Sequence, residues 1–149
     1  DVLNPYLNKF CKTMSGYNWF CKENIKRLAG TPLKFSSAPV LSFGTLQSGS
    51  VQATGADADY GISFSAIPSV PAGHALKLVV AAISDDGVKV GVAQYENPQT
   101  MNNYGTAITD LGFSSGMKGY TVAFFADYDA NGVLQALSAS VSSALWSLT

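Results

Sequence analysis

Tyr120-Thr-Val-Ala-Phe-Phe-Ala126, Asp127-Tyr-Asp-Ala-Asn-Gly132 and Val133-Leu-Gln-Ala-Leu-Ser-Ala-Ser-Val141 follow one another near the end of the chain. The first run is aromatic and β-branched, the last is small and apolar, and the middle is a turn, so the three together predict a β-hairpin. The pattern recurs upstream. Leu76-Lys-Leu-Val-Val-Ala-Ala-Ile83 and Val88-Lys-Val-Gly-Val-Ala-Gln-Tyr95 flank Ser84-Asp-Asp-Gly87. Leu78–Ile83 lacks the alternation of a half-buried strand, which predicts a central strand covered on both faces.

Between Phe35 and the C-terminus, short apolar runs are separated by turn residues about every eight to twelve positions. The candidate strands are Val40–Phe43, Ser50–Thr54, Gly61–Ala66, Leu76–Ile83, Val88–Tyr95, Ala107–Leu111, Tyr120–Ala126 and Val133–Val141. Seven or eight such strands predict a mainly β domain over residues 35–149, an antiparallel Ig/fibronectin III-like β-sandwich.

Residues 1–34 read differently. Asn4-Pro5 is a helix start, and Leu3, Tyr6, Leu7, Phe10 and Met14 follow helical spacing. After Ser15-Gly16 a second helical run carries Tyr17, Cys21, Asn24, Ile25 and Leu28 on one face and stops at Gly30 before Pro32. The expectation is a helical head made of two short helices or one kinked one. Cys11 and Cys21 lie in it. On one unbroken helix they stand too far apart to bond, whereas a fold-back at Ser15-Gly16 permits a disulfide; two buried free thiols are the preferred reading.

Charge separates the two parts. The first 34 residues hold six basic residues against Asp1 and Glu23, a net +4, and the remainder holds three lysines against eight acids, a net −5. Charged residues make up only 13% of the chain, against about 25% in ordinary soluble domains. A surface so poor in charge predicts that part of it is covered by a neighbour. Trp19, Phe20, Lys22, Lys26 and Arg27 combine aromatic anchors with positive charge and are the candidate docking residues. The expected partners are other protein subunits in an oligomer or larger assembly, with nucleic acid not expected. No apolar run approaches the roughly 18 residues that span a bilayer. The start at Asp1, without Met, suggests a processed chain or a piece of a longer product.

Chemistry-bearing motifs are sparse. Asp127-Tyr-Asp129-Ala-Asn131-Gly132 matches the first half of a calcium loop, but loop position twelve is Ser138 and not Glu. The same residues suit a tight hairpin, where Asn and Gly tolerate positive φ, so Asp127, Asp129 and Asn131 are turn residues first and a weak calcium site second. His74 is the single histidine and has no G-x-S-x-G context to supply a nucleophile. No nucleotide-binding glycine loop is present. Neither a catalytic residue nor a cofactor is expected. Tyr104 and Tyr128 fall in expected loops, the pattern of a small sugar platform and the alternative reading as a carbohydrate-binding or adhesion module.

Leu3-Asn-Pro-Tyr-Leu7, Ser15-Gly-Tyr-Asn-Trp-Phe-Cys-Lys-Glu-Asn-Ile25, Gly30-Thr-Pro32 and Val40-Leu-Ser-Phe-Gly-Thr-Leu46 occur in an order that resembles a family of uncharacterised small proteins of Bacteroides-type bacteria and their phages. Members of that family pass from a helical segment with an N-x-F-x-x-x-N-I phrase into an S-x-G-x-L strand and then an Ig- or fibronectin-like sandwich. Asn18, Phe20, Asn24 and Ile25 stand at positions like the first phrase, and Ser42, Gly44 and Leu46 at the second. The resemblance implies a structural protein of bacterial or phage origin. Combined with the charge layout, it leads to the expectation of a non-enzymatic assembly protein on a virion, of the capsid-decoration kind, or on an extracellular surface.

Overall fold

In a computed structural model, residues 2–8, 16–46, 51–56, 59–64, 66–98 and 104–148 are described, with side chains described for all of these except 17, 51–56, 59–64 and 104–107. The chain is mainly β, with antiparallel sheets and short helices. At its centre, β5 (Ala75–Ser84) and β8 (Lys118–Tyr128) pair antiparallel along their length, from Ala75 opposite Tyr128 to Ser84 opposite Gly119. Gly119 through Asp127 are buried without a break, as are Leu78 through Ser84. The absence of alternation in Leu78–Ile83 therefore has its expected cause: both faces of the strand are covered.

β6 (Val90–Glu96) follows β5 through a tight turn and pairs with its outer side. Beyond β8 runs the last stretch of chain, in three short pieces: β9 (Leu134–Leu137), β10 (Val141–Ser142) and β11 (Trp146–Ser147). Between successive pieces, two residues of β8 face three of the last strand, so the register slips by one. Serines sit at the breaks. Ser138 Oγ accepts from the Phe125 amide at 2.8 Å, and Ser143 Oγ accepts from the Thr121 amide at 3.0 Å, so no buried β8 amide is stranded where the ladder gives way.

Helices cover one face of this sheet. Leu3, Tyr6 and Leu7, in or beside α1 (Asn4–Leu7), share a cluster with Val79, Ala81 and Ile83 of β5 and with Tyr120, Val122 and Phe124 of β8. The Tyr6 and Phe124 rings meet edge to face at 5.2 Å. Trp19 and Phe20 of α2 (Gly16–Asn24) pack against the same cluster. Residues read from the sequence as a head thus form one wall of the sheet's core. On the opposite face, Leu76, Leu78, Val80, Ala123 and Phe125 meet Ile67 and Val70, and Ala82 joins Ile108, Phe113, Trp146 and Leu148. A separate three-stranded antiparallel sheet runs β3 (Val51–Ala56), β4 (Asp59–Phe64) and β7 (Tyr104–Ala107). Two residues each of β1 (Leu28–Ala29) and β2 (Lys34–Phe35) close a small hairpin after α2.

Three expected strands differ. Ala107–Leu111 is strand only at Ala107 and then a 3-10 turn, Ile108–Leu111. The Val133–Val141 strand is broken after Leu137 by the slip at Ser138. Val40–Phe43 joins no strand ladder; it lies beside the C-terminal strand and is held by serine side chains and by one backbone bond, from the Ser140 amide to the Ser42 carbonyl at 2.9 Å. Ser140 Oγ accepts from the Leu41 amide, Ser42 Oγ donates to the Ser138 carbonyl at 2.6 Å, and the Leu46 amide donates to the Leu137 carbonyl. A Cβ at Gly44 would fall 1.7 Å from that same Leu137 oxygen, so the close approach requires glycine.

Because α1 is part of the sheet's core, Leu7→Ala is expected to destabilise the whole domain by about 2–5 kcal/mol, the range for a buried leucine. Urea unfolding followed through β8 amide signals checks this. A sheet midpoint unmoved by the substitution would show that α1 packs without supporting it.

Candidate docking surface

α2 and the 3-10 turn that continues it, Ile25–Arg27, carry the five residues expected to dock. Asn24 fixes this element. It is buried, its Nδ2 donates to the Phe20 carbonyl at 2.9 Å and the Val40 carbonyl at 2.8 Å, and its Oδ1 accepts from the Val40 amide at 2.6 Å. One side chain therefore ties the end of the helix to the segment leading to Gly44, with its amide hydrogens and oxygen all engaged. The sequence marked Asn24 as part of a helical stripe and of the phrase shared with Asn18, Phe20 and Ile25, not as a clamp. A polar residue within that otherwise apolar stripe was the available signal.

Anchoring at Asn24 divides the candidate residues. Lys22 and Lys26 are exposed. Trp19 is half-buried and stands edge-on to Phe43, with ring centroids 5.8 Å apart at 90°, and Phe20 is half-buried against the core. Arg27 donates through Nη1 to the Glu23 carbonyl, while its own carbonyl accepts from the amide and hydroxyl of Ser36. Trp19, Phe20 and Arg27 thus hold the element in place, and the outward surface includes Lys22, Lys26 and three residues the sequence did not single out for docking, Asn18, Cys21 and Ile25. Ile25 is 68% exposed. Cys21 is an exposed free thiol, which corrects the expectation of a buried one; Cys11, and with it the Cys11–Cys21 pairing, lies outside the described residues.

Apolar recesses lie on both sides of Phe20. The smaller, about 160 Å³, is lined by Phe20, Cys21, Asn24, Ile25, Leu28 and Phe35. The larger, about 450 Å³, lies between α1 and the sheet, where Val2, Leu3 and Leu7 face Ile83, Val90 and Val92. Its walls under α1 and on the sheet come from segments more than seventy residues apart, so no local pattern announces it.

The other candidate residues are tied into the fold. Tyr128, expected in a loop, ends β8; its hydroxyl donates to Tyr6 Oη at 3.0 Å, which donates in turn to Gln94 Oε1 at 3.0 Å. Lys77 Nζ sits 4.9 Å from the Tyr128 ring centroid and 3.1 Å from Glu96. Tyr104 opens β7 and is not in a loop; its side chain lies outside the described ones. The residues of the half calcium loop separate. Asp127 is buried and its Oδ1 lies 2.8 Å from His74 Nδ1, whereas Asp129 accepts from the Asn131 and Val133 amides and from Gln135 Nε2. Those bonds, the Val133 amide foremost, hold the Asp129 carboxyl below the usual range. At the turn tip only Gly132 has positive φ, at 77°, and Asn131 does not. His74 and Asp127 form an oriented imidazole–carboxylate pair, and among the described residues no hydroxyl or thiol is bonded to that ring. A polar recess of about 260 Å³ at the β5–β6 turn sets Lys34 and Lys118 beside Asp85 and Asp86, with Lys34 already 3.4 Å from Asp85.

Burial raises the Tyr6 phenol above the ordinary tyrosine value of 10.0, and the bond from Tyr128 adds to the shift. A group that holds its proton more tightly when folded contributes fully below its unfolded pKa and loses that contribution as pH climbs past about 10. Domain stability is therefore expected to fall on the alkaline side from about pH 10. Tyr6→Phe should cost about 1 kcal/mol at neutral pH and flatten that fall, measured by urea midpoints across pH. An alkaline slope unchanged in the variant would count against Tyr6 as its source.

The chain matches no family model, no curated protein and no solved structure.

Proposed function

We propose that this chain is a non-enzymatic structural subunit of a larger assembly, of the virion-decoration or surface-appendage kind, and that it docks through the outer side of α2. The observation that carries this reading is the composite patch formed by Lys22, Ile25 and Lys26 over the apolar recess of Cys21, Leu28 and Phe35. An exposed isoleucine ringed by lysines has the form of an interface core with a charged rim. It fits a partner with an apolar projection and acidic surroundings. The first 34 residues carry a net charge of +4, a sign that favours an acidic partner. Elsewhere among the described residues, the ion pairs Lys34–Asp85 and Lys77–Glu96 are internal.

The proposal extends to the fold. Counting β9 to β11 as one interrupted strand, a four-stranded and a three-stranded antiparallel sheet make seven strands, the division of an Ig-like sandwich. In such a sandwich the smaller sheet covers the face of Leu78, Val80 and Phe125, because α1 and α2 occupy the other.

Lysine-directed cross-linking in the intact source material tests the docking. Inter-protein cross-links are expected at Lys22 and Lys26. The double variant Ile25→Asp, Lys26→Glu should keep the midpoint of unfolding within about 0.5 kcal/mol of wild type, as exposed substitutions do, and should lose incorporation at least about tenfold, equivalent to 1.4 kcal/mol of binding. Incorporation undiminished in this variant would refute docking through α2.

A further inference from the structure

The outer side of β6 has backbone groups that nothing described takes up. β6 pairs with β5 on one side and with no described strand on the other. The phase of the ladder is fixed at both ends: the Ser84 amide donates to the Lys89 carbonyl, the Lys89 amide to Ser84 Oγ, and the Asn97 amide to the Leu76 carbonyl. Odd-numbered residues thus direct amide and carbonyl toward β5, and by the alternation of an antiparallel pair Val90, Val92, Gln94 and Glu96 direct theirs outward.

Exposed edges in soluble proteins are usually blunted by lysine, proline or a bulge. Val90-Gly-Val-Ala-Gln-Tyr-Glu96 has no lysine or proline, pairs with β5 without a register shift, and carries its single charge at its end. Apolar side chains surround it. Val88 is 84% exposed, Val90 47% and, across the groove, Val2 49%. Val90 and Val92 also line the recess of about 450 Å³ beneath α1.

We propose that this edge is an interaction surface for a second copy of the chain, with the two β6 strands antiparallel about a two-fold axis at Val92, joining two four-stranded sheets into one of eight. Two features favour a second copy. Antiparallel self-pairing sets even-numbered residues against even-numbered ones, so outward amides meet outward carbonyls in phase. Centring on Val92 sets Val92 against its own counterpart and Val90 against Gln94 on the helix-covered face. On the opposite face it sets Gly91 against Ala93 and Lys89 against Tyr95. The valines of both copies then form an apolar seam between the two recesses, with Val2 at its margin. The pairing uses none of Lys22, Ile25 and Lys26 and stands apart from docking at α2.

Light scattering of the full chain across concentration, with amide exchange read by NMR, tests the pairing. The mass should double as concentration rises, and the Val90, Val92, Gln94 and Glu96 amides should gain at least about tenfold protection over the same range. Val90→Pro removes an outward N–H that belongs to no internal ladder, a placement proline tolerates on an edge strand; it should stay folded and monomeric. Val90→Lys, at the same half-exposed position, should also abolish the doubling. A chain that remains monomeric to about 1 mM, the weak end of measurable affinity, would overturn the proposal. So would a dimer whose even-numbered amides exchange as fast as in the monomer, or one that persists in both variants.

Discussion

The ten-residue ladder between β5 and β8 is the constraint from which the remaining architecture follows. Two strands that pair along their length satisfy each other's backbone groups, but they present two apolar faces, each of which has to be covered. Helices α1 and α2 cover one, and the 66–70 segment and the 3-10 turn cover much of the other. The order of the chain reflects this demand. Residues from the extreme N-terminus, the middle and the extreme C-terminus converge on the same two strands, so no end of the described chain is an independent appendage.

The serines of the last strand answer a second demand of that ladder. β8 is buried from Gly119 to Asp127, so each of its amides needs a partner whether or not its neighbour keeps regular register. Where the last strand slips, Ser138 and Ser143 offer hydroxyls in place of backbone carbonyls. Ser42 and Ser140 then join the 40–46 segment to the same strand. Ser138, Ser140 and Ser143 are thus structural requirements in a stretch whose composition announces only a small, apolar strand.

How far the chain could be read from its sequence follows from the range of the interactions involved. Both hairpins were legible because Asp-rich, glycine-ended turns and β-branched runs act within a dozen residues. Leu78–Ile83 was legible as central because burial on two faces removes alternation from the sequence itself. Ala107–Leu111 was misread because Ala107, Ile108 and Leu111 have strand composition, while a local turn and the burial of Ile108 set the conformation. Val40–Phe43 was misread because its partners, Ser138 and Ser140, lie almost a hundred residues away. The candidate site shows the same division. Periodicity placed Lys22, Ile25 and Lys26 on a helix, but the partition of Trp19, Phe20 and Arg27 to the inner side depended on Phe43, the sheet and Ser36. The His74–Asp127 pair spans 53 residues and left no trace in spacing.

The chain's conspicuous polar groups are largely committed to holding its own backbone. Asn24 clamps a helix, Asp129 organises a turn, Tyr128 and Tyr6 bond each other, and His74 faces a buried carboxylate. Of the two larger recesses, one is lined mainly by apolar side chains, among them Leu3, Leu7, Phe20 and Val90, and the other by Lys34, Asp85, Asp86 and Lys118. With charged residues only 13% of the chain and several of them paired internally, the surface offers apolar contact bordered by a few lysines. That combination suits association with other protein surfaces, where complementarity of shape matters more than any single reactive atom.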